Sequence, residues 1–344
     1  MKQLVWTDVR KVEIVEAPIP QPGPGQAVVK IKYAGICGSD LHVFAGQHPT
    51  AKPPMVMGHE ACGTLYAINS DRTDVKVGDK VCCHTVKPCG ACEGCTTGRE
   101  NLCTSVKIMG ANFDGVFTQY ILVDADRVIK FNDDVDFELA ALVEPLTVGV
   151  HDLRRSNMKA GESVVIGGAG PIGLIIGIMC RFAGASRVVL SEIDATRIEI
   201  ARGMGFTVVN PMEPDFKEKA LAASGADGFD KAFEITSVQS SFDTCVDLLK
   251  RGGTLVQVGM PPKGKLFSVD INKFIFSECD LVGVRHHTMN DMITAAKLIN
   301  SGVLNEQLRP LASAIYPMEE SMAAFERAAS DKSVLRVLID FEEK

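Results

Sequence analysis

Residues 163–184 read SVVIGGAGPIGLIIGIMCRFAG, a short apolar run followed by a glycine-rich turn and a second apolar run. The first run, SVVIG, predicts a buried strand, and the second, which Pro171 opens, predicts a helix. Gly168, Gly170 and Gly173 fit the pattern G-x-G-x-x-G, whose glycines allow a tight turn, the approach of a pyrophosphate and close helix–strand packing. The stretch therefore predicts a strand–turn–helix unit that holds a dinucleotide at the N-terminus of its helix.

Downstream of Gly161, apolar strand candidates alternate with helical stretches. The predicted strands are SVVIG (163–167), RVVLSE (187–192), TVVN (207–210), FDKAFEI (229–235), TLVQVG (254–259) and DLVGV (280–284). Helical stretches such as ATRIEIARGMG (195–205) and VQSSFDTCVDLLKRGG (238–253) separate the first five. Alternation of this kind predicts an α/β domain with a doubly wound parallel sheet of the Rossmann type.

Glu192 ends the second of these strands, about twenty residues beyond the fingerprint, where a carboxylate accepts hydrogen bonds from the adenosine ribose. Because this carboxylate would repel a 2′-phosphate, the sequence favours NAD over NADP. Arg197 is the counter-argument, since an arginine can pair with such a phosphate. We interpret Arg197 instead as a helix-surface charge that packs on the adenine, and Asp194 as a second ribose candidate or the N-cap of a helix.

The chain on either side of this region has a different pattern. Short β-branched runs such as AVVKIKYAGI (27–36) and GTLYAI (63–68) alternate with turns and predict a barrel or sandwich-like domain. Residues 138–153, ELAALVEPLTVGVHDL, predict a helix that leads into the second domain. From about Asp291 the chain returns to helices and a last strand, VLRVLID (334–340), which we expect to rejoin the first domain. The predicted domains are therefore residues 1–150 with 291–344, and residues 151–290.

Composition limits the function classes. The 344 residues suit two domains, and a formal net charge of −7 argues against nucleic acid or an anionic membrane as a partner. No apolar run approaches the roughly 18 residues of a membrane span, and MKQLVWTDVRKVE does not read as a signal peptide. We therefore expect a cytoplasmic protein.

Four cysteines crowd into residues 89–103, CGACEGCTTGRENLC, which we call the cysteine lobe. In a reducing compartment, the spacing C-x2-C-x2-C-x7-C of Cys89, Cys92, Cys95 and Cys103 predicts metal ligands and not disulfides. Four sulfurs close a tetrahedral zinc shell with no open position, so this predicted site is structural.

Two further stretches, GICGSDLH (35–42) and GHEACG (58–63), offer a second set of ligands. Cys37 and His59 are good zinc ligands, and Glu60 and Glu144 are possible oxygen ligands. Three protein ligands leave a position for water or substrate, which is the catalytic arrangement. Taken singly, the cysteine and the histidine are equally typical of a protein core.

These motifs together resemble the zinc-dependent medium-chain alcohol dehydrogenase superfamily. The resemblance rests on CGSDLH, GHE, the cysteine lobe, EPL (144–146) and GAGPIG, which occur in that order along nearly the whole chain. It is strongest to the polyol branch, which includes sorbitol, threonine, butanediol and sugar-acid dehydrogenases. The resemblance implies a GroES-like catalytic domain, a Rossmann domain, a cleft between them, and a homo-oligomer, either a tetramer or a dimer.

The resemblance also assigns roles to residues. Cys37, His59 and Glu60 correspond to catalytic zinc ligands, and Glu144 stands where polyol-type relatives have a glutamate; which glutamate binds directly stays open. Asp40 is expected to orient His59, and Ser39 with His42 to relay a proton. The expected cofactor contacts are Gly168, Gly170, Pro171, Ile172, Gly173, Glu192, Arg197, Val258, Gly259, Met260, Val284 and Arg285, although the last five are equally typical of ordinary strand ends. The other cysteines, His84 and His151 are interpreted as core residues.

The sequence thus predicts an enzyme with two zinc ions per chain that transfers a hydride from a secondary alcohol of a polyol or sugar acid to NAD. The stretch between CGSDLH and GHE contains Phe44 and no tryptophan, and its polar residues Gln47, His48 and Lys52, with residues 285–287, are candidates for the substrate pocket. The alternatives are an L-threonine or 2,3-butanediol dehydrogenase, a zinc-free NADPH quinone reductase of the same superfamily, and a zinc-containing regulatory or nucleic-acid-binding protein without turnover.

Overall fold

The computed structural model describes residues 1–261 and 264–342, which separate into two compact units. The first unit contains Met1–Thr147 and the chain from His287 onward, and the second contains Val148–His286. The domain limits expected from the sequence, residues 150 and 290, lie a few residues farther along the chain, so His287 belongs to the first unit. Among the helices of the described ranges, none has both the length and the apolar character that crossing a membrane requires.

Strands dominate the first unit. In chain order they are β1 (Lys2–Asp8), β2 (Lys11–Glu16), β3 (Gln26–Gly35), β4 (Met55–Val56), β5 (Glu60–Asn69), β6 (Lys80–Cys83), β7 (Val86–Lys87), β8 (Lys107–Ile108), β9 (Tyr120–Asp124), β10 (Val128–Lys130), β17 (Ala312–Pro317) and β18 (Arg336–Asp340). The main sheet has the order β10-β6-β5-β3-β18-β17, with β9 also paired to β3. Because β18 pairs with β3, the C-terminal tail returns to the first unit.

The core of the first unit contains a cluster of aromatic rings. The Phe117 ring lies edge-on to Phe325 with 5.8 Å between centroids, and nearly parallel to Phe341 at 6.4 Å. Phe44 stacks on Phe325 at 4.8 Å and is 7% exposed. Phe44 is therefore a core residue, because its ring is used in packing.

The helices of the first unit range from 4 to 14 residues. They are α1 (Gly38–Phe44), α2 (Glu93–Thr96), α3 (Phe137–Ala140), α4 (Val143–Ser156), α10 (Met289–Ser301), α11 (Asn305–Leu308) and α12 (Ser321–Ser330), of which α4 continues into the second unit. The single helix predicted for residues 138–153 is in fact two, α3 and α4. Pro145 explains the break, because it has no N–H to donate to the carbonyl of Ala141 and its ring would clash with that carbonyl. In the first turn of α4 the missing N–H costs nothing.

The second unit alternates strands and helices. Its elements are β11 (Ser163–Gly167), α5 (Pro171–Phe182), β12 (Arg187–Ser191), α6 (Ala195–Gly203), β13 (Thr207–Val209), α7 (Phe216–Ser224), β14 (Phe229–Glu234), α8 (Gln239–Leu248), β15 (Leu249–Gln257), α9 (Ile271–Ser277) and β16 (Asp280–Gly283). All six strands are parallel, in the order β13-β12-β11-β14-β15-β16. The predicted doubly wound parallel sheet is confirmed.

One strand differs from the prediction. Strand β15 begins at Leu249, whereas the sequence predicted a helix through residue 253 and a strand from residue 254. The pairing with β14 is irregular, since Phe229 faces Leu249 but Lys231 faces Thr254. A Cβ on Gly253 would stand 2.9 Å from the Lys250 carbonyl oxygen, as expected where a bulge brings backbones close. Because Lys250, Arg251 and the two glycines that follow are not typical of a strand, the sequence did not predict the first part of β15.

Candidate metal centres and nucleotide site

The cysteine lobe brings its four sulfur atoms together. All four lie within 4.8 Å of one another, and Sγ of Cys95 is 3.9 Å from that of Cys89 and 3.5 Å from that of Cys92. A tetrahedron with Zn–S bonds of about 2.3 Å has sulfur–sulfur edges of about 3.8 Å, so the donor set fits zinc. All eleven cysteines lie in the described ranges and are free thiols, which leaves these four available as ligands.

Backbone N–H groups of the lobe point at its sulfur atoms. The N–H of Cys89 donates to Sγ of Cys103 at 3.2 Å, and that of Cys92 to Sγ of Cys89 at 3.4 Å. Hydrogen bonds from the backbone of Cys95 and Thr104 lower the pKa of Cys92 to about 6. Burial, followed by the Cys92 sulfur, raises the pKa of Cys95 to about 12. Clustered thiols of this kind favour a bound cation, because they can all ionise only beside a positive charge.

The second group of ligand atoms lies where β3 ends and β5 begins. These strands are antiparallel and Gly35 faces Glu60, so their ends bring CGSD and GHE together. Cys37, His59 and Glu60 each offer one ligand atom within 4.8 Å of the other two, and we call this group the Cys37 cluster. A Cβ on Gly35 would stand 2.6 Å from Oε2 of Glu60, so a glycine here makes room for the carboxylate.

Asp40 connects the two motifs of the cluster. Its Oδ2 accepts from the N–H of Cys37 at 2.9 Å, and its Oδ1 accepts from the N–H of Gly58 at 3.2 Å. The same Oδ1 lies 3.5 Å from Nδ1 of His59. A proton on Nδ1 therefore faces Asp40 and leaves the Nε2 lone pair for a metal, which is how a carboxylate orients a ligating histidine.

Arg336, which the sequence analysis missed, lies buried beside the cluster. Its Nη1 is 3.2 Å from Oε1 of Glu60 and donates to the carbonyl oxygen of Ile36 at 3.3 Å. Although burial alone would raise it, the hydrogen bond and charge of His59, helped by Arg336, lower the pKa of the Cys37 thiol to about 6. The arginine thus favours the thiolate, the form that binds zinc.

The environment of Glu60 shows whether a cation fits the Cys37 cluster. Its side chain is fully buried, and within the described chain neither of its oxygens has a hydrogen bond, because the contact with Arg336 lacks suitable geometry. Burial raises the pKa of Glu60 well above its usual range. Buried carboxylate oxygens without donors are costly unless they coordinate a cation, so the Cys37 cluster fits zinc with a thiolate, an imidazole and a carboxylate.

Glu144 contributes no ligand atom to this cluster among the described residues. Its Oε1 instead lies 3.0 Å from Nε2 of His287, and both side chains are buried. Burial would raise the pKa of Glu144, but the hydrogen bond from His287 and the charges of His287 and His59 lower it. His84, which the sequence analysis interpreted as a core residue, contacts His287 in turn at 3.1 Å.

Ser39 and His42 occupy one face of α1, three residues apart. Ser39 is half-buried, and its Oγ lies 3.4 Å from Nε2 of His59. His42 is exposed, with its Nδ1 3.4 Å from Oε1 of Gln47. The helix therefore places one hydroxyl at the cluster and one imidazole at the surface on the same side.

The glycine-rich fingerprint has the conformation that a dinucleotide needs. Gly168 has φ +112°, and a Cβ on Gly173 would stand 2.1 Å from the Gly168 carbonyl oxygen. Gly170 is the N-cap of α5 and Pro171 its first residue, followed by Ile172. The helix N-terminus directly follows the glycine turn, so this loop fits a pyrophosphate.

Glu192 and Arg197 both reach the fingerprint. The Glu192 carboxylate accepts from the N–H of Ala169 at 2.8 Å and from those of Ile193 and Asp194 at 2.8 and 3.0 Å. Nη1 of Arg197 lies 3.6 Å from the position of a Cβ on Gly170, so the guanidinium lies over the loop. Asp194 caps α6 by accepting from the N–H of Arg197 at 3.0 Å.

The remaining candidate cofactor contacts follow strands β15 and β16. The N–H groups of Val258 and Gly259 donate to the carbonyl of Glu234 at 2.9 Å, and Met260 is 85% exposed. Val284 and Arg285 directly follow β16. Because all six strands are parallel, these residues share the carboxyl edge of the sheet with the fingerprint, where dinucleotides bind in such folds.

Two family models match different parts of the chain. The alcohol dehydrogenase GroES-like domain matches residues 23–133, and the zinc-binding dehydrogenase domain matches residues 171–301. The sorbitol dehydrogenase of Bacillus subtilis is 31% identical over 98% of this chain and 97% of its own length. The chain belongs to the zinc-dependent alcohol dehydrogenase family. It is therefore an enzyme with a GroES-like and a Rossmann-type domain. Membership of this family argues against a regulatory protein without turnover and against a zinc-free quinone reductase.

Other members of the alcohol dehydrogenase family match equally well. The L-threonine 3-dehydrogenase of a Shewanella species, strain MR-7, is 32% identical over 93% of this chain and 94% of its own. The L-idonate 5-dehydrogenase of Escherichia coli superposes with a TM-score of 0.90 at 30% identity, covering 99% of this chain and 98% of its own. A zinc-binding dehydrogenase of Sinorhizobium meliloti, solved with NADP, gives 0.90 at 30% identity and 98% coverage of both chains. The family is shown, whereas identities near 30% leave the substrate open.

Proposed function

We propose that this protein oxidises a secondary hydroxyl of a polyol or a sugar acid with NAD as the hydride acceptor. The observation that carries the proposal is the Cys37 cluster, in which a thiol, an imidazole and a buried carboxylate without hydrogen bonds lie within 4.8 Å of one another. Family membership supports the alcohol as substrate class. Similarity to sorbitol and L-idonate dehydrogenases supports substrates with several hydroxyls.

Cys37, His59 and Glu60 would hold the catalytic zinc, and the cysteine lobe a structural zinc, which gives two ions per chain. Bound zinc would supply a positive charge that stabilises a deprotonated hydroxyl, and bound NAD an acceptor for hydride. Asp40 holds the tautomer of His59, and Arg336 offsets the negative charge of Cys37 and Glu60. Glu144 lies beside this group with its carboxylate bound to His287.

Ser39 and His42 would carry the proton that the substrate hydroxyl releases. Ser39 Oγ, next to Nε2 of His59, is positioned to take the proton, and the exposed His42 ring is positioned to deliver it to solvent. A serine hydroxyl can accept and donate at once, so it can pass a proton without holding charge. The position of both residues on one face of α1 supports this role.

Replacing Cys92 by Ser is expected to remove one of two zinc equivalents and to lower the thermal stability, because a structural metal contributes folding free energy directly. Each kcal/mol lost lowers the Tm of a domain of about 200 residues by about 2–4 °C, so we expect a drop of several degrees. Elemental analysis and calorimetry measure both effects. Cys279→Ser, a half-buried cysteine outside the lobe, is the control; equal effects of the two substitutions would contradict a lobe metal.

We expect kcat/KM for NAD to exceed that for NADP by more than about tenfold. A 2′-phosphate near the Glu192 carboxylate would meet like-charge repulsion that costs several kcal/mol, and each 1.4 kcal/mol is about tenfold. Arg197 lies over the phosphate loop near Gly170, which supports a role at the pyrophosphate. Parallel kinetics with both cofactors test this. Equal or better use of NADP would mean that Arg197 governs the ribose pocket.

A panel of substrates tests the proposed function. We expect kcat/KM for hexitols or hexonates to exceed the values for L-threonine, 2,3-butanediol and ethanol, measured as NADH formation. The similarity to L-threonine 3-dehydrogenase makes L-threonine the second candidate. A clear preference for L-threonine or the diol would preserve the chemistry and contradict the substrate class, and a preference for ethanol would contradict both candidates.

We also propose that the chain self-associates as a dimer or tetramer. Strand β16 is an edge of its sheet, Leu281 on it is 48% exposed, and α9 exposes Ile271 and Phe276 by 62% and 76%. A second copy could add its own β16 in a two-fold arrangement that covers these apolar groups. Sedimentation velocity is expected to give a dimer or larger species, and Leu281→Asp to weaken it. A concentration-independent monomer would contradict the proposal.

A further inference from the structure

A series of hydrogen-bonded polar side chains, three of them buried, connects the cysteine lobe to Glu144; we call it the polar chain. Nη1 of Arg127 lies 3.3 Å from Nδ1 of His84, Nε2 of His84 lies 3.1 Å from Nδ1 of His287, and Nε2 of His287 lies 3.0 Å from Oε1 of Glu144. His84, His287 and Glu144 are 1%, 3% and 7% exposed. All four residues belong to the first unit.

The two ends of this chain determine where its protons lie. Arginine can only donate, so Nδ1 of His84 accepts and its single proton is on Nε2. That proton is donated to Nδ1 of His287, whose own proton must then also be on Nε2, where it is donated to Glu144. A proton on Nδ1 of either ring would set two donors against each other. Only one pair of tautomers satisfies all three contacts.

At the end away from Glu144, Arg127 is bound by Glu100 of the cysteine lobe. Oε2 of Glu100, three residues before Cys103, accepts from Nη1 of Arg127 at 2.8 Å, and its Oε1 accepts from the N–H of Met289 at 2.5 Å. Glu100 therefore holds both Arg127 and the first turn of α10. His287 lies directly before that helix, where Thr288 and Asp291 form a reciprocal cap.

We propose that His287 and His84 are positioning residues, which hold the Glu144 carboxylate in one orientation beside the Cys37 cluster and couple that orientation to the cysteine lobe. The His84–His287 and His287–Glu144 contacts are both buried, so water has little access to replace a lost partner there. These residues do not form a second path for protons to solvent. A proton that left Glu144 would have to bind Nε2 of His287, which already carries one. The inference rests on the proposed function, because it concerns the same catalytic site.

The proton positions can be tested on the unmodified, zinc-loaded enzyme. With 15N-labelled histidine, the rings of His84 and His287 are each expected to carry their proton on Nε2; His84→Gln and His287→Gln assign the signals. A proton on Nδ1 of either ring, or a doubly protonated ring, would overturn the inference. This result needs no turnover, so it is independent of whether the proposed substrate class is right.

The positioning role is tested by a double-mutant cycle with Glu144. His84→Phe fills the site without its hydrogen bonds and is expected to lower kcat about 10–100-fold, as substitutions of groups that orient ligands or catalytic carboxylates do. The KM for NAD should stay unchanged. In the Glu144→Gln background the same substitution should have little further effect on kcat, because the group that it positions is already altered.

Three further variants complete this test, using any alcohol that the enzyme oxidises. His287→Gln, which keeps a donor for Glu144, should retain more kcat than His287→Leu. His151 is buried to the same 1% as His84 but is not part of the polar chain, so His151→Gln should leave kcat unchanged. If the effects of His84→Phe and Glu144→Gln on kcat were fully additive, or if His151→Gln lowered kcat equally, the role would be structural only and the inference wrong. An enzyme that oxidised no alcohol would contradict the proposed function. The ring tautomers of His84 and His287 would still test the inferred hydrogen bonds.

Discussion

Replacing Cys37 by Ser is expected to abolish turnover and to leave a folded protein with one of its two zinc ions. The thiol lies beside His59 and Arg336, which lower its pKa to about 6 against the effect of burial and so favour the thiolate, the form that binds zinc. A serine hydroxyl in its place does not ionise at neutral pH and is a poor zinc ligand. Because the cluster offers three protein ligands, loss of one removes much of its affinity.

Zinc content, the unfolding temperature and NADH formation measure this together. Cys82→Ala, which alters a buried cysteine of β6 outside both metal groups, is the control and should keep both ions and full activity. The lobe should keep its zinc in the Cys37 variant, since the two groups share no residue. Full activity of the Cys37→Ser enzyme would contradict the catalytic role of the cluster.

Ser39→Ala is expected to lower the rate of the chemical step by about 10²–10⁴-fold, which is the usual loss when a positioned proton-transfer group is removed. The Ser39 hydroxyl is half-buried with its Oγ 3.4 Å from Nε2 of His59, and water has less access there than at the surface. The fold should be little affected, because an alanine is at least as favourable in a helix as serine. The pre-steady-state rate of NADH formation is the appropriate measurement, because slow release of NADH can hide a chemical step.

His42→Ala serves as the comparison for this prediction. Its ring is exposed, so buffer molecules can replace it and the loss should be smaller than for Ser39 and should diminish as buffer concentration rises. An unchanged pre-steady-state rate for Ser39→Ala would eliminate Ser39 as the inner member of a relay. A larger loss for His42→Ala than for Ser39→Ala would reverse the proposed order.

The strands of the second unit could be predicted closely because each is an apolar run that ends at a change of composition. The strand predicted at 163–167 is found as Ser163–Gly167. The early start of β15 could not be predicted, since Lys250, Arg251 and two glycines read as a helix end and a turn. Their strand conformation comes from pairing with β14, which only the tertiary structure supplies.

The site could be predicted as far as its motifs reach. Cys37, His59 and Glu60 stand in two short motifs whose spacing carries the chemistry, and β3 and β5 bring those motifs together. Arg336 is one charge in the apolar strand VLRVLID, where an arginine usually faces solvent, and nothing local shows that it faces Glu60. His84 and His287 are 203 residues apart in sequence, so their contact has no local signal at all.

The fate of the hydrogen on the substrate carbon tests the central claim most directly. A hexitol or hexonate that carries deuterium on its secondary carbons is incubated with the enzyme and NAD, and the reduced cofactor is isolated and analysed by mass spectrometry. We expect deuterium in the nicotinamide ring and a ketone as the organic product, because a hydride passes directly from a secondary carbon to the cofactor. Deuterium found in water, or an aldehyde as the product, would contradict it.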